Sequence, residues 1–114
     1  MSILLTDESQ AALNSGCAVV SASTPAINAT YAIDPPSLDK LFKTGAYILA
    51  FGAFPNGQAT WTLLDLGGNP RTFPTTASFL SALRGVADYV AQLNQIIDGL
   101  STLTALPSQP VTIP

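Results

Sequence analysis

Phe79, Leu83, Val86, Val90, Leu93, Ile97 and Leu100 recur at alternating intervals of four and three residues near the end of the chain. Such spacing predicts a long amphipathic helix, with an a/d seam over about three heptads. Thr75 or Thr76 is placed to cap it, and Gly99 suits the position just past its end near Asp98. Leu80, Ala87 and Ile96 widen the stripe, as a helix seated in a globular core requires. The e and g positions carry almost no complementary charge, so the seam reads either as a core face or as contact between subunits. Gly85 interrupts this helix at a cost of about 1 kcal/mol relative to alanine, which suits a place where another element comes close.

A second helix is expected over about 37–51, with Ser37 as its cap. Leu38, Leu41, Phe42, Gly45, Ile48, Leu49 and Gly52 form its core-facing stripe. Between the two helices, Phe54-Pro55-Asn56-Gly57-Gln58 has turn chemistry. Thr60 to Asp65 and Arg71 to Phe73 then flank Leu66-Gly67-Gly68-Asn69-Pro70, which predicts an antiparallel hairpin over 60–73 with glycine supplying positive φ. Pro70 suits only the start of an edge strand. Trp61 and Leu63 share one face of the hairpin, Leu64 the other. Trp61 is expected to pack on the long helix, the alternative being a ligand-stacking role.

Upstream, Thr6 reads as the cap of a short helix to about Asn14, with Asp7 and Glu8 in its first turn and Ser15-Gly16 as its stop. Residues 18–23 suit a short strand or extended arm ended by Thr24-Pro25. Asn28 to Ile33 alternate, placing Ala29, Tyr31 and Ile33 on one face. Residues 103–114, LTALPSQPVTIP, carry three prolines and read as an extended tail. The fold class is therefore α+β: two main helices, about 37–51 and 76–98, on a small antiparallel sheet made mostly by the hairpin. The whole chain, 1–114, reads as one domain with its core at about 18–100.

Composition changes this picture in three ways. Charged residues make up 10 % of the chain, against about 25 % in ordinary soluble domains. A polar, nearly neutral surface of that kind associates readily, although a general alanine and threonine bias has the same composition. The net charge of −3 argues against electrostatic binding of nucleic acid. With no histidine and Cys17 as the only cysteine, zinc sites of the usual types, Ser-His-Asp and Cys-His nucleophiles and an internal disulfide are all excluded. Cys17 has no basic neighbour in sequence to activate it, so it reads as a buried structural residue rather than a reactive thiol. The start, MSILLTDESQ, lacks the features of a secretion signal, and no run approaches the length of a membrane span; synthesis in the cytoplasm is expected. The Asn28-Ala29-Thr30 sequon is accordingly not expected to be used.

The acidic residues Asp7, Glu8, Asp34, Asp39, Asp65, Asp88 and Asp98 each have a simple local role except Asp98, which sits unfavourably at a helix C-terminus. Asp88 follows Arg84 by one helical turn and is expected to pair with it. Asp65 beside Arg71 across the hairpin is the most site-like pairing. Gly67-Gly68 lacks the surroundings of a phosphate loop. No catalytic residue, cofactor or metal ligand is assigned. The candidate interaction surface is Trp61, Tyr31, Tyr47, Asp65 and Arg71, with a groove formed near the three aromatic side chains.

At NATYAID (28–34), and again from FPNGQATWTLLDLGG through RTFPTTASFLSALRGVADYVAQL, the chain resembles small proteins encoded in bacteriophage and prophage tail regions. They form a domain-of-unknown-function family related to tail-fibre and fibre-assembly segments. The shared pattern includes Asp65-Leu66-Gly67-Gly68, Thr72-Phe73 and Tyr89-Val90, and covers most of 18–98. Members often carry histidine before the Thr-Phe pair, where this chain has Arg71. The resemblance implies a non-enzymatic structural or accessory protein that contacts tail or tail-fibre subunits, a possible homo-oligomer, associated with the virion. The alternative reading is a monomeric module that binds a small molecule or peptide in a groove near Trp61.

Overall fold

The computed structural model describes residues 3–100 and 105–114, and the side chains among them from residue 6 onward. The first part of the expected tail, 103–104, lies outside the described residues. The architecture is α+β. Helix α1 (Ile3–Ser15) is followed by strand β1 (Cys17–Ser21) and β2 (Ala29–Tyr31), then by α2 (Pro35–Phe51). The hairpin β3 (Trp61–Leu64) and β4 (Pro70–Phe73) leads to α3 (Thr76–Ile97), and β5 (Val111–Ile113) closes the chain.

The long helix forms where its pattern and cap place it. Thr75 Oγ1 accepts the Ser78 N–H at 3.1 Å, and Ser78 Oγ accepts the Thr75 N–H at 3.3 Å. This reciprocal cap satisfies two first-turn donors, with a typical worth of about 1 kcal/mol. Phe79, Val86, Val90 and Leu93 are buried in the protein's own core, joined by Ala82, Tyr89 and Ile96. The heptad stripe is thus a core face over most of its length. Leu100 departs from it, 75 % exposed beyond the end of the helix.

Two helix starts differ from the expected ones. Helix α1 begins at Ile3, so Thr6, Asp7 and Glu8 lie inside it rather than at its cap. Helix α2 is capped at Asp34, with Pro35 and Pro36 in the first turn, where the missing N–H groups have no helical acceptor to lose. Ser37 instead donates its hydroxyl to Asp34 Oδ1 at 2.7 Å.

The hairpin is a three-residue loop built on a type I turn with a bulge. Gly68 N–H donates to Asp65 C=O at 3.0 Å and Asp65 N–H to Asn69 C=O at 2.8 Å, with Gly68 at φ +82°. Antiparallel alternation then makes Leu63/Arg71 and Trp61/Phe73 the hydrogen-bonded pairs. Leu64/Pro70 and Thr62/Thr72 are the pairs whose backbone groups turn outward. Pro70 is tolerated within β4 because its absent N–H would have pointed away from β3.

A second sheet, beyond the expected hairpin, has the order β2-β1-β5. The end of the tail is its third strand, lying parallel to β1 with Val111 opposite Val19 and Ile113 opposite Ser21. Gln109 fixes the approach: its Oε1 accepts the Ala18 N–H at 2.9 Å and its Nε2 donates to Tyr89 Oη at 2.6 Å. Ser21 holds the far end, its hydroxyl donating to the Pro114 C=O at 2.7 Å. Asn28, the residue of the sequon, accepts the Ser21 N–H on its side-chain oxygen at 2.6 Å, which gives that side chain a structural role.

One aromatic row joins these parts. Trp61 stacks on Phe54 at 6.1 Å, Phe54 meets Phe79 edge-on at 6.3 Å, Phe79 meets Phe73 at 5.3 Å, and Phe73 meets Tyr31 at 6.1 Å. Pairs of this kind contribute about 0.5–1.5 kcal/mol beyond the area they bury. The row ties hairpin, α3 and β2 into one core.

Candidate functional site

The five residues of the expected interaction surface separate into three environments. Tyr31 is buried, its hydroxyl donating to the Ile27 C=O at 2.5 Å. Burial pushes that hydroxyl up to about 12. Trp61 is half-buried, and its indole N–H has no acceptor among the described residues. Its ring partner is Phe54 rather than a residue of the long helix. Tyr47 lies on the outer side of α2, ring against Phe51 at 4.7 Å. The groove beside Tyr31 has neither Trp61 nor Tyr47 in its walls. Strand alternation turns Trp61 inward, and Tyr47 lies off the core-facing side of its helix.

Asp65 and Arg71 do come together, Arg71 Nε donating to Asp65 Oδ2 at 3.0 Å. The other carboxylate oxygen accepts the Asn69 N–H at 2.9 Å. That backbone bond first, and the guanidinium with it, hold the Asp65 carboxyl below its ordinary range. Both oxygens are thereby spent on bracing the turn. Arg84 and Asp88, expected to pair, form no ion pair; the i,i+4 pair that does form is Lys43 with Asp39 at 2.8 Å, fully in solvent. Cys17 is buried as expected, and burial pushes its thiol up to about 11, away from reactivity. No group of three metal-ligating side chains occurs among the described residues. The void inside the core, walled by Tyr31, Leu41, Leu63, Phe73 and Phe79, has only about 10 Å³ open to water. No small molecule fits there.

The surface that sequence reasoning missed is the outer side of α2. Its stripe was expected to face the core throughout, yet Phe42 is 46 % exposed and Leu49 78 % exposed. Gly45 explains why. A Cβ there would run into the Leu83 side chain, so α2 sits directly against α3 along Leu38, Leu41, Gly45 and Ile48. Phe42 and Leu49, about a quarter-turn of the helix away, pass beside α3 and face out. Ala46 is exposed between them, and Ala50, Tyr47 and Phe51 continue the apolar surface round the helix. From Thr44 to Leu64 no residue carries a charge.

Comparison with protein-family models, with curated proteins and with solved structures gives no match. No described helix is long and apolar enough to cross a membrane.

Proposed function

We propose that this protein is a non-enzymatic structural or accessory component, of phage or prophage origin, that contacts tail or tail-fibre subunits or its own copies. The exposed apolar face of α2 carries this reading. Large aromatic and aliphatic side chains exposed together on the outer side of α2, uncharged from Thr44 onward and flanked by the Asp39–Lys43 ion pair, mark a place where another protein sits. The resemblance of 28–34 and 54–93 to tail-region proteins supplies the kind of assembly.

Replacing Phe42 and Leu49 together by aspartate tests the reading. Both side chains lie outside the core, so the variant keeps the wild-type melting temperature within a few degrees. It loses association with purified tail or tail-fibre subunits, and self-association where wild type shows any. Equal association by both proteins excludes the α2 face as the contact.

A further inference from the structure

The two sheets expose four strand edges, and three of them are blunted. Strand β4 lies in the segment Pro70-Arg71-Thr72-Phe73-Pro74, and β5 in Pro110-Val111-Thr112-Ile113-Pro114. These are the same motif, Pro-x-Thr-x-Pro, with the same burial: half-buried, exposed, buried from its second to its fourth residue. In β5 the Ile113 C=O accepts the Ala22 N–H at 3.3 Å, so the backbone of Val111 and Ile113 turns toward β1 and that of Thr112 turns outward. The prolines therefore occupy the outward positions on either side of a single threonine, in β4 and β5 alike. Each edge offers one N–H where an ordinary strand would offer three. Proline at outward positions is a recognised protection of sheet edges. The third edge, β2, is covered: its outward Thr30 C=O accepts the Leu66 N–H at 2.8 Å.

Strand β3 has no such device. Its outward residues, Thr62 and Leu64, both keep their N–H groups, and no described residue hydrogen-bonds to the outward backbone of either. The Thr62 hydroxyl is turned across to Thr72 Oγ1 at 2.9 Å and leaves the edge open. Alongside this edge runs a groove of roughly 360 Å³. Its floor is Tyr31, Leu41 and Leu63, and its far wall is the first half of α2 with Lys40 at the rim. Among the described residues Lys40 forms no ion pair; its charge reaches Asp34, whose carboxylate is hydrogen-bonded by Ser37, while Asp65, which also lines the groove, is held by Asn69 and Arg71.

The geometry points to β3 as an acceptor for strand addition: an extended peptide segment of a partner protein enters this groove and becomes the third strand of the hairpin sheet. Backbone bonds to Thr62 and Leu64 hold it. Alternate side chains meet the apolar floor and solvent. An acidic side chain facing Lys40 completes the fit. Helix α2 walls the groove on its far side, which leaves a slot suited to one extended strand rather than to the edge of a whole second copy. This surface is separate from the outer face of α2, and either can exist without the other.

The test pans a random heptapeptide library against the wild-type protein and titrates the selected peptides into variants. Leu64→Pro transfers to β3 the protection that β4 and β5 carry. Leu64→Ala trims the same side chain but keeps the N–H. Selected peptides should alternate β-branched or aromatic with polar residues and carry an acid. They should lose about tenfold or more in affinity on Leu64→Pro, and as much when N-methylated along one edge, while Leu64→Ala changes affinity by less than about threefold. Lys40→Glu should weaken the acidic peptides, and Phe42→Asp with Leu49→Asp should leave them bound. Circular dichroism and the melting temperature establish that the proline variant is folded, and Thr62→Pro replaces it if it is not. Selection of no peptide, or equal binding by a folded proline variant, overturns the proposal. So does a proline-sensitive dimer that binds no peptide, which would make the occupant a second copy.

Discussion

Gly85 on α3 faces Val111 on β5 so closely that a Cβ added to the glycine would lie 2.5 Å from the valine Cγ1. A distance that short forces something to move. Alanine is the better helix former by about 1 kcal/mol, so an exposed glycine here would be improved by the change. Gly85→Ala is instead expected to destabilise by about 1–3 kcal/mol through displacement of β5. Adding Val111→Ala should recover part of that loss. Urea unfolding of the single and double variants measures both; a more stable single variant would show that β5 is not pressed on α3.

Gly68 poses the opposite case, with nothing within 4 Å of an added Cβ and a φ of +82°. Any cost of substitution there is backbone strain alone. Gly68→Val should destabilise by about 1–2 kcal/mol, and Gly68→Asn by clearly less, because asparagine tolerates the left-handed region. Equal midpoints for the two variants in urea would contradict the hairpin turn described above.

Acid should loosen the same turn. The Asp65 carboxyl lies below its ordinary value of 3.8 in the folded protein, so its contribution is present above that value and disappears as pH falls through the lower folded one. Thermal melts from pH 5 down to pH 2 should therefore show a falling melting temperature that is flatter in Asp65→Asn. Identical slopes for the two proteins would mean that the bracket to Asn69 and Arg71 contributes nothing.

Alkali acts on Cys17 with the opposite sign. Burial raises its thiol from 9.0 to about 11, so the folded state keeps a proton that the unfolded chain releases. That stabilisation is complete below pH 9 and is lost progressively up to about 11. Cys17→Ala, though less stable at neutral pH from lost packing, should lose less between those limits. Parallel losses would place the alkaline sensitivity elsewhere, on Tyr31 and Tyr89, whose hydroxyls burial also raises.

Much of this fold is local in origin and could be read from the sequence. The hairpin declares itself because Gly68 and the Asp65–Asn69 span fix the turn by themselves, and α3 does so by its heptads and the Thr75 cap. Gly85 was legible as a point of close approach, although its partner was not. What sequence could not supply is which elements meet across the chain. The parallel pairing of β5 with β1 joins residues at opposite ends, and the prolines that mark 103–114 as extended also protect the strand it contains. Phe42 and Leu49 share a helical stripe with buried neighbours, and only the placement of Gly45 against Leu83 turns them outward. The candidate site divided for the same reason: alternation fixed the inward turn of Trp61, but no local signal fixed where Tyr47 would lie.

The proposed binding of other subunits through α2 is decided by the protein's absolute mass in solution. Size-exclusion chromatography with light scattering, over a tenfold concentration range, would be run on the protein alone and mixed with purified tail subunits. Wild type should exceed its monomer mass of 11.8 kDa in at least one of these settings, and the Phe42→Asp, Leu49→Asp variant should remain at 11.8 kDa in both. A wild-type protein fixed at the monomer mass throughout, or a variant that assembles equally well, would rule out α2 as the contact.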